Sequence, residues 1–273
     1  FLNQWWPYHG YLPGAPPPEA QSTIKDGSAD AARWSPTYMA ENGDAFRQEL
    51  GRIAAALRGH DGIYGLMLDY EPTARGMDAD YGEASRRAFE RSLGKTVDNW
   101  PGDVLPGGTY CSDWVAFRCR QSTAYVEHFR TRLQQELPEL RLAVSTSGAS
   151  GKPDDINRNL AATDIAEISV ACDSIHPQLY SWTTRLDARE LPRFTDKLEL
   201  GLTTLARASG PVYVCLGSSS GASPEADPEV LKIQLYNWWL SGRNFAGVEI
   251  WQYFYGVDAR YLVMLNEAAA LML

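Results

Sequence analysis

Five nearly continuous apolar runs, each separated from the next by a segment of helical periodicity, constrain the fold of this chain more than any other feature. The runs begin at Gly65, Leu140, Cys172, Gly210 and Asn244. Parallel strands that helices cover on both faces show this continuous apolar pattern. Strands that alternate with helices predict an α/β protein with a parallel sheet.

Helical spacing of apolar residues fills the intervals between these runs. The predicted helices cover 44–58, 84–93, 112–137, 188–206, 227–242 and 261–272, with a weaker pattern over 156–168. Residues 1–40 are rich in proline, glycine and aromatic residues, which predicts the end of a short strand followed by a loop.

The length of 273 residues suits one α/β barrel. We therefore predict a single (β/α)8 TIM-barrel domain over residues 1–273, with a loop-rich insertion around 73–112. Five runs and a sixth N-terminal strand are fewer than the eight strands of such a barrel. The first strands are accordingly expected to be missing from this chain or to be irregular in it.

Charge and hydropathy limit the classes of partner. The formal net charge of −9 disfavours nucleic acid, because phosphate binding requires a basic patch. No run reaches the roughly 18 apolar residues of a membrane span. The chain begins FLNQWWPYHG without a visible signal peptide, as a processed chain also would. An extracellular or periplasmic location is our expectation.

The four cysteines form no CxxC pair, so a zinc site is not expected. We also expect no other metal site and no cofactor. Cys172 and Cys215 belong to apolar strand-like runs and are predicted to be buried free thiols. Cys111 and Cys119 could form a disulfide only if Cys111 lay outside the following helix. Within one helix they would be about 12 Å apart.

The first apolar run ends in two acids, in the stretch GLMLDYEP. Side chains alternate along a strand, so Asp69 and Glu71 face the same side. The C-terminal ends of barrel strands open onto the active site, where two carboxyl groups are costly unless they bind a ligand or share a proton. One acid can hold a proton while the other orients it and raises its pKa. Alternatively, the two acids pair with Arg75 or another cation.

The stretch GLMLDYEP resembles the strand-four motif of glycoside hydrolase family 18, the chitinases and endo-β-N-acetylglucosaminidases. The resemblance implies that Glu71 is the general acid/base and that Asp69 assists it. Met67 stands where that family usually has a further, deeper Asp. Three later stretches agree in order, namely PQLYSW, PVYVCLGSSSG and AGVEIWQYF.

By the same resemblance, Tyr180 contacts the acetamido group of the substrate and Gln178 lines the site. Trp251 is the apolar floor under the sugar at the cleaved bond. Ser181 departs from the family, which often has Asp or Asn after this Tyr. The resemblance covers about residues 45–72 and 140–260.

The region between these stretches resembles other proteins. AFERSLGKTV, WPGDV and DWVAFR are similar to barrel hydrolases related to family 42 and to bacterial glycosidase-like domains, which also carry a Glu at the end of strand four. A two-carboxylate retaining mechanism requires a nucleophile, usually at the end of strand seven, and VCLGSSSG contains none. The other candidates are Glu249, which shares a face with Trp251 one layer deeper, and Asp173, which is also explained as a turn residue.

The missing carboxylate favours a substrate-assisted mechanism, in which the 2-acetamido oxygen of the substrate attacks the anomeric carbon. Glu71 would protonate the leaving oxygen and then activate water, Asp69 would hold the acetamido N–H, and Tyr180 would hydrogen-bond its carbonyl. The expected partner is therefore a carbohydrate. A two-carboxylate glycosidase acting on non-acetylated sugars and a non-catalytic carbohydrate-binding barrel remain alternatives.

Aromatic residues supply further candidates for sugar binding. Trp5 and Trp6, with Tyr8 and His9, form either a sugar platform or a plug at one end of the barrel. His176 lies in the run that begins at Cys172, and it either lines the site or is a hydrogen-bonded core residue.

Overall fold

The fold is described by a computed structural model that defines most of the sheet and the helices beside it. The described residues are 2–4, 17–42, 51, 53, 55–59, 63–70, 76–146, 158–159, 162–177, 204–217, 245–251, 263, 266, 267 and 270.

Six parallel strands form the main sheet. They are β1 (Leu2–Gln4), β4 (Gly65–Tyr70), β5 (Arg141–Thr146), β6 (Ser174–Pro177), β7 (Val212–Gly217) and β8 (Phe245–Trp251), and they are hydrogen-bonded in that order. The five apolar runs and the N-terminal strand were all predicted from the sequence, and all six are confirmed. Neighbouring strands in the sheet follow one another in the chain apart from a small hairpin, as in a singly wound α/β barrel.

One face of the sheet is apolar where the middles of β4 and β5 pair with each other and with β6. Leu66 and Leu68 of β4 pair in register with Leu142 and Val144 of β5, and Ile175 of β6 pairs with Val144 and with Val212 of β7. These side chains are buried. A face of this kind is the one that the helices of an α/β fold cover.

Four helices are described from end to end. They are α1 (Pro36–Glu41), α2 (Glu83–Leu93), α3 (Cys111–Glu136) and α4 (Ile165–Val170). The predicted helices over 84–93 and 112–137 are thereby confirmed to within one residue at each end. Gly94 ends α2 in the left-handed conformation, with φ of 73°, which glycine adopts without strain.

The start of α4 corrects the weak helical prediction over 156–168. Residues 158 and 159 are helical, but residues 162–164 are not, and α4 begins at Ile165. The Asp164 carboxylate accepts hydrogen bonds from the backbone N–H groups of Ala166 and Glu167. This N-cap fixes where the helix begins, whereas apolar spacing alone does not.

A β-hairpin corrects the expectation of a plain loop over the first forty residues. Strands β2 (Gln21–Thr23) and β3 (Ala29–Trp34) pair antiparallel, and α1 follows them. Ile24 bridges to Ala79, and the Tyr81 N–H donates to Thr23 O at 2.8 Å. Residues 17–42 and 76–110 are thus joined, and we call these two segments together the cap.

The cap and the first turns of α3 share an aromatic core. Trp114 at the start of α3 is fully buried, and its ring meets Trp100 and Phe89 edge to face, with centroids 5.2 Å apart in both pairs. Tyr81 packs on the same ring, and burial raises the pKa of its phenol. The remaining members of this core are Ala88, Val97, Val104 and Phe117.

Three described cysteines are free thiols. Cys111 and Cys119 both lie in α3, so the disulfide considered from the sequence does not form. Cys172 is buried, as predicted, whereas the side chain of Cys215 is outside the described part of the chain. No helix in the described ranges is long and apolar enough to cross a membrane.

Candidate functional site

The second face of the sheet carries polar residues at the level of Asp69 in β4. Asp69 pairs in register with Ser145 of β5, and Ser145 pairs with His176 of β6. These three positions alternate with the apolar ones, so they share the opposite face of the sheet. In an α/β barrel that face is the interior, and the carboxyl ends of its strands carry the active site.

His176 is the best-defined polar side chain of this face. It is 3% exposed, and its Nε2 lies 3.1 Å from the hydroxyl oxygen of Ser174, which is also buried. Its ring stacks on Tyr213 of β7, with centroids 4.9 Å apart and planes inclined by 15°. His176 is therefore a hydrogen-bonded buried residue at the level of Asp69, and a role in lining the site stays a prediction.

Gly247 of β8 makes room for the Tyr213 ring. The two residues are register partners, and a Cβ at position 247 would lie 2.9 Å from Tyr213 Cδ1. A larger residue here would displace the ring that His176 stacks against.

The predicted residues of β8 lie on the same face. Cys215 pairs with Glu249 and Gly217 with Trp251, two and four positions beyond the Tyr213–Gly247 pair. Register thus places Glu249 and Trp251 on the face of Asp69, closer to the carboxyl ends of the strands, with Glu249 one layer deeper than Trp251.

Asp173 is located at the other end of the sheet. Its carboxylate accepts hydrogen bonds from Arg130 of α3 at 2.9 Å and from the Leu142 N–H at 2.8 Å, and Arg141 lies 3.7 Å away. Asp173 precedes β6, so it ties α3 to the amino ends of β5 and β6. This position excludes it as a second carboxylate of the candidate site.

Several residues predicted for the site are outside the described residues. They are Glu71, Tyr180, Gln178, Trp5 and Trp6, together with Arg75. Their roles stay predictions. The described residues bring together the positions of Asp69, Glu249 and Trp251 on one face of the sheet, and they add Ser145 and Tyr213, which the motifs did not single out.

The chemistry open to this face is that of carboxylates, an imidazole, hydroxyls and aromatic rings. These groups can move protons, hydrogen-bond sugar hydroxyls and stack on apolar sugar faces. Within the described ranges, no group of three or more His, Cys, Asp or Glu side chains is arranged to hold a metal ion.

Comparison of the sequence with protein-family models and with curated proteins finds no match. Solved structures do share the fold. The PgaB (BpsB) glycoside hydrolase domain from Bordetella bronchiseptica superposes with a TM-score of 0.64 at 14% identity, over 98% of this chain and 73% of that domain.

A β-galactosidase from the Antarctic haloarchaeon Halorubrum lacusprofundi superposes with a TM-score of 0.64 at 11% identity, over 93% of this chain and 47% of that one. A family 18 chitinase from Pseudoalteromonas aurantia reaches a TM-score of 0.49, which is too low to bear on the family. The comparisons therefore show the fold, which is the TIM-barrel architecture of glycoside hydrolases.

Proposed function

We propose that this protein is a glycoside hydrolase in which Glu71 is the general acid/base. One observation carries the proposal. The Asp69–Tyr70–Glu71 sequence leaves the carboxyl end of a parallel strand whose face is polar at that level, in a fold shared with glycoside hydrolases. Acids placed there in a barrel of this type are positioned for chemistry at its open end.

The favoured mechanism is substrate-assisted hydrolysis of an N-acetylated glycan. The acetamido oxygen attacks the anomeric carbon while the Glu71 carboxyl group protonates the leaving oxygen; the Glu71 carboxylate then takes a proton from the attacking water. Asp69 holds the acetamido N–H, and Tyr180 donates a hydrogen bond to the carbonyl. Gln178 and Trp251 position the sugar, and Trp5 and Trp6 extend the binding surface.

A two-carboxylate mechanism on non-acetylated sugars is the second candidate. Glu249 supports it because strand register places it on the face of Asp69. The likeness to β-galactosidases, which are named for a non-acetylated sugar, supports it as well. A non-catalytic carbohydrate-binding barrel is the third candidate.

The remaining assignments follow from this proposal. The partner is a carbohydrate, the location is extracellular or periplasmic, and residues 1–273 form one barrel domain with an insertion around 73–112. Neither mechanism requires a metal ion or an organic cofactor.

Two oligosaccharides that differ only in N-acetylation test the proposal, with reducing-end release as the measurement. The favoured mechanism expects cleavage of the N-acetylated member alone. Glu71→Gln should fold normally and lose about three orders of magnitude or more in rate, because it cannot donate the proton. Glu139→Gln, at an exposed turn before the amino end of β5, is the matched control and should retain the full rate.

Each other result has a definite meaning. Cleavage of the non-acetylated member would exclude substrate assistance and make Glu249 the first candidate for a second catalytic carboxylate. Full activity of Glu71→Gln would remove Glu71 from the mechanism. Binding of either oligosaccharide with no turnover over days would favour the non-catalytic barrel.

A further inference from the structure

The two segments of the cap follow neighbouring strands of the sheet. Residues 17–42 come after β1 and residues 76–110 after β4, and β1 and β4 are parallel partners, with Leu2 opposite Leu66. Both segments therefore follow strands whose carboxyl ends lie at the same edge of the sheet, and β4 carries Asp69 near that end.

A buried carboxylate connects the two segments. Asp80 Oδ2 accepts a hydrogen bond from the Ser35 hydroxyl at 2.5 Å and another from the Ser85 hydroxyl at 2.6 Å. The Ser85 hydroxyl also lies 2.9 Å from the hydroxyl of Thr37. These four residues are each at most 1% exposed to solvent.

The charge of Asp80 is balanced from α3. Arg118 Nη1 lies 3.7 Å from Asp80 Oδ2, and the two side chains are 4% and 1% exposed. The Arg118 guanidinium also lies 5.6 Å from the centre of the Trp114 ring, in the aromatic core of the cap. A buried acid that is paired in this way resists separation, because either partner alone would be an uncompensated charge.

The length of α3 places this cluster at the carboxyl edge of the sheet. Arg130 of α3 contacts Asp173, which marks the amino edge. Arg118 lies about three turns earlier, roughly 18 Å along the helix, which is close to the length of a six-residue strand. The Asp80–Arg118 pair is therefore level with the ends of the strands, where the candidate site opens.

We propose that Asp80 is a positioning residue that locks residues 17–42 to residues 76–82 and to α3, so that the cap is one rigid wall beside the candidate site. The part of the proposal that concerns substrate rests on the proposed glycosidase function. A rigid cap can bind the sugar units that are remote from the cleaved bond, and this binding lowers KM. The chemical step at Glu71 does not involve Asp80.

An exposed ion pair between the same two segments provides a matched control. Lys25 Nζ lies 2.6 Å from Asp78 Oδ1, with the side chains 56% and 63% exposed. Solvent-exposed pairs contribute little to stability. Lys25→Ala therefore removes a contact across the same junction without disturbing the buried cluster.

Amide hydrogen exchange of wild type, Asp80→Asn and Lys25→Ala tests the lock. Exchange over residues 17–42 should accelerate about tenfold or more in Asp80→Asn, while the amides of β4 and β5 stay within about twofold and Lys25→Ala matches wild type. Unchanged exchange over 17–42, or equal acceleration in the strands, would overturn the proposal.

Kinetics on the cleaved oligosaccharide test the effect on substrate. Asp80→Asn should raise KM about tenfold while kcat stays within about threefold, because uniform binding is lost and the chemical step is retained. A fall in kcat at unchanged KM would contradict this role. If wild type cleaves no oligosaccharide, the proposed function fails, and hydrogen exchange still decides the lock.

A milder variant covers the case in which Asp80→Asn does not fold. Ser85→Ala removes one hydrogen bond from Asp80 and leaves the charge pair with Arg118 in place. It should produce the same pattern of exchange over 17–42 to a smaller extent. The proposal is wrong if the exchange of a folded Ser85→Ala variant equals that of Lys25→Ala.

Discussion

Gly247 is a residue whose lack of a side chain shapes the polar face of the sheet. We predict that Gly247→Ala lowers the free energy of unfolding by about 1 to 3 kcal/mol, because the new Cβ would overpack a ring that already stacks on His176. Urea denaturation measures this change through the midpoint of the transition.

Gly51→Ala is the control for that substitution. Gly51 lies in a helix, and a Cβ there would meet nothing within 4 Å. Alanine should therefore leave stability unchanged or raise it by up to about 1 kcal/mol. If the two variants unfold at the same urea concentration, the packing of the Tyr213 ring does not depend on the absence of a side chain at position 247.

Residues of the candidate site and of the cap differ in how far the sequence could predict them. Asp69 was proposed as a site residue because its acid pair directly follows a buried run in this fold class, and Glu249 and Trp251 were placed on one face by simple alternation. Ser35, Asp80 and Arg118 could not be assembled in this way. They are distant in sequence, and each is ordinary until the fold buries it.

At the scale of elements, Glu90 joins the end of α2 to the following loop. Its carboxylate accepts hydrogen bonds from the Val97 N–H at 2.9 Å and from Arg86 Nε at 3.0 Å. The Val97 N–H, followed by Arg86, holds the pKa of Glu90 below its ordinary value. A lowered carboxyl pKa contributes stability above the unfolded pKa of about 4.3 and loses it as pH falls through the folded pKa.

We predict that Glu90→Gln is less stable than wild type at pH 7, by no more than about 1 kcal/mol because the pair is partly exposed. The difference should shrink between pH 7 and pH 3, because the wild-type carboxyl group takes up a proton as pH falls through its folded pKa. Thermal unfolding at both pH values measures it. Glu83→Gln is the matched control, since Glu83 pairs with Arg87 at the same spacing but at 3.5 Å and in solvent.

A deficit for Glu90→Gln that persists unchanged at pH 3 would contradict the electrostatic explanation. It would indicate that the amide packs poorly beside Val97. Glu83→Gln should change stability by at most a few tenths of a kcal/mol at pH 7.

Strands and helices were predicted well where a whole segment is buried, and poorly where contacts with distant parts of the chain determine the local structure. The strands β4 to β8 follow from apolar runs, and α2 and α3 from helical spacing. The β2–β3 hairpin has no apolar run, and it is held by contacts to Ala79 and Tyr81, which lie more than fifty positions later. Likewise, the N-cap hydrogen bonds of Asp164 determine where α4 begins, which the apolar spacing over 156–168 did not predict.

At the scale of the whole molecule, α3 packs on both the cap and the sheet. Trp114 and Arg118, in its first turns, contact residues of the cap. Arg130, near its other end, forms an ion pair with Asp173 at the amino edge of the sheet. A continuous helix that packs on two regions should make them unfold together, because the opening of α3 from one region also breaks its contacts with the other.

Two buried thiols can report on the packing of α3 against the sheet. Cys119 lies in α3, where Arg158 and Asp164 act on its thiol, and Cys172 precedes β6. Burial raises the pKa of Cys119 to about 11 and that of Cys172 to about 12. Both are therefore almost entirely protonated at pH 8, and a thiol reagent can modify them only after the structure around them opens.

We predict that Cys119 and Cys172 are modified at equal rates in moderate urea at pH 8, once each rate is divided by the fraction of that thiol that is ionised. The two rates should also depend on urea concentration in the same way, as expected for one cooperative unit. Peptide mass spectrometry assigns the labelled sites, and half-buried Cys111 should react first, as an internal check of the reagent. Modification of Cys119 at a clearly lower urea concentration than Cys172 would show that α3 opens before the amino edge of the sheet. The molecule would then not unfold as one cooperative unit.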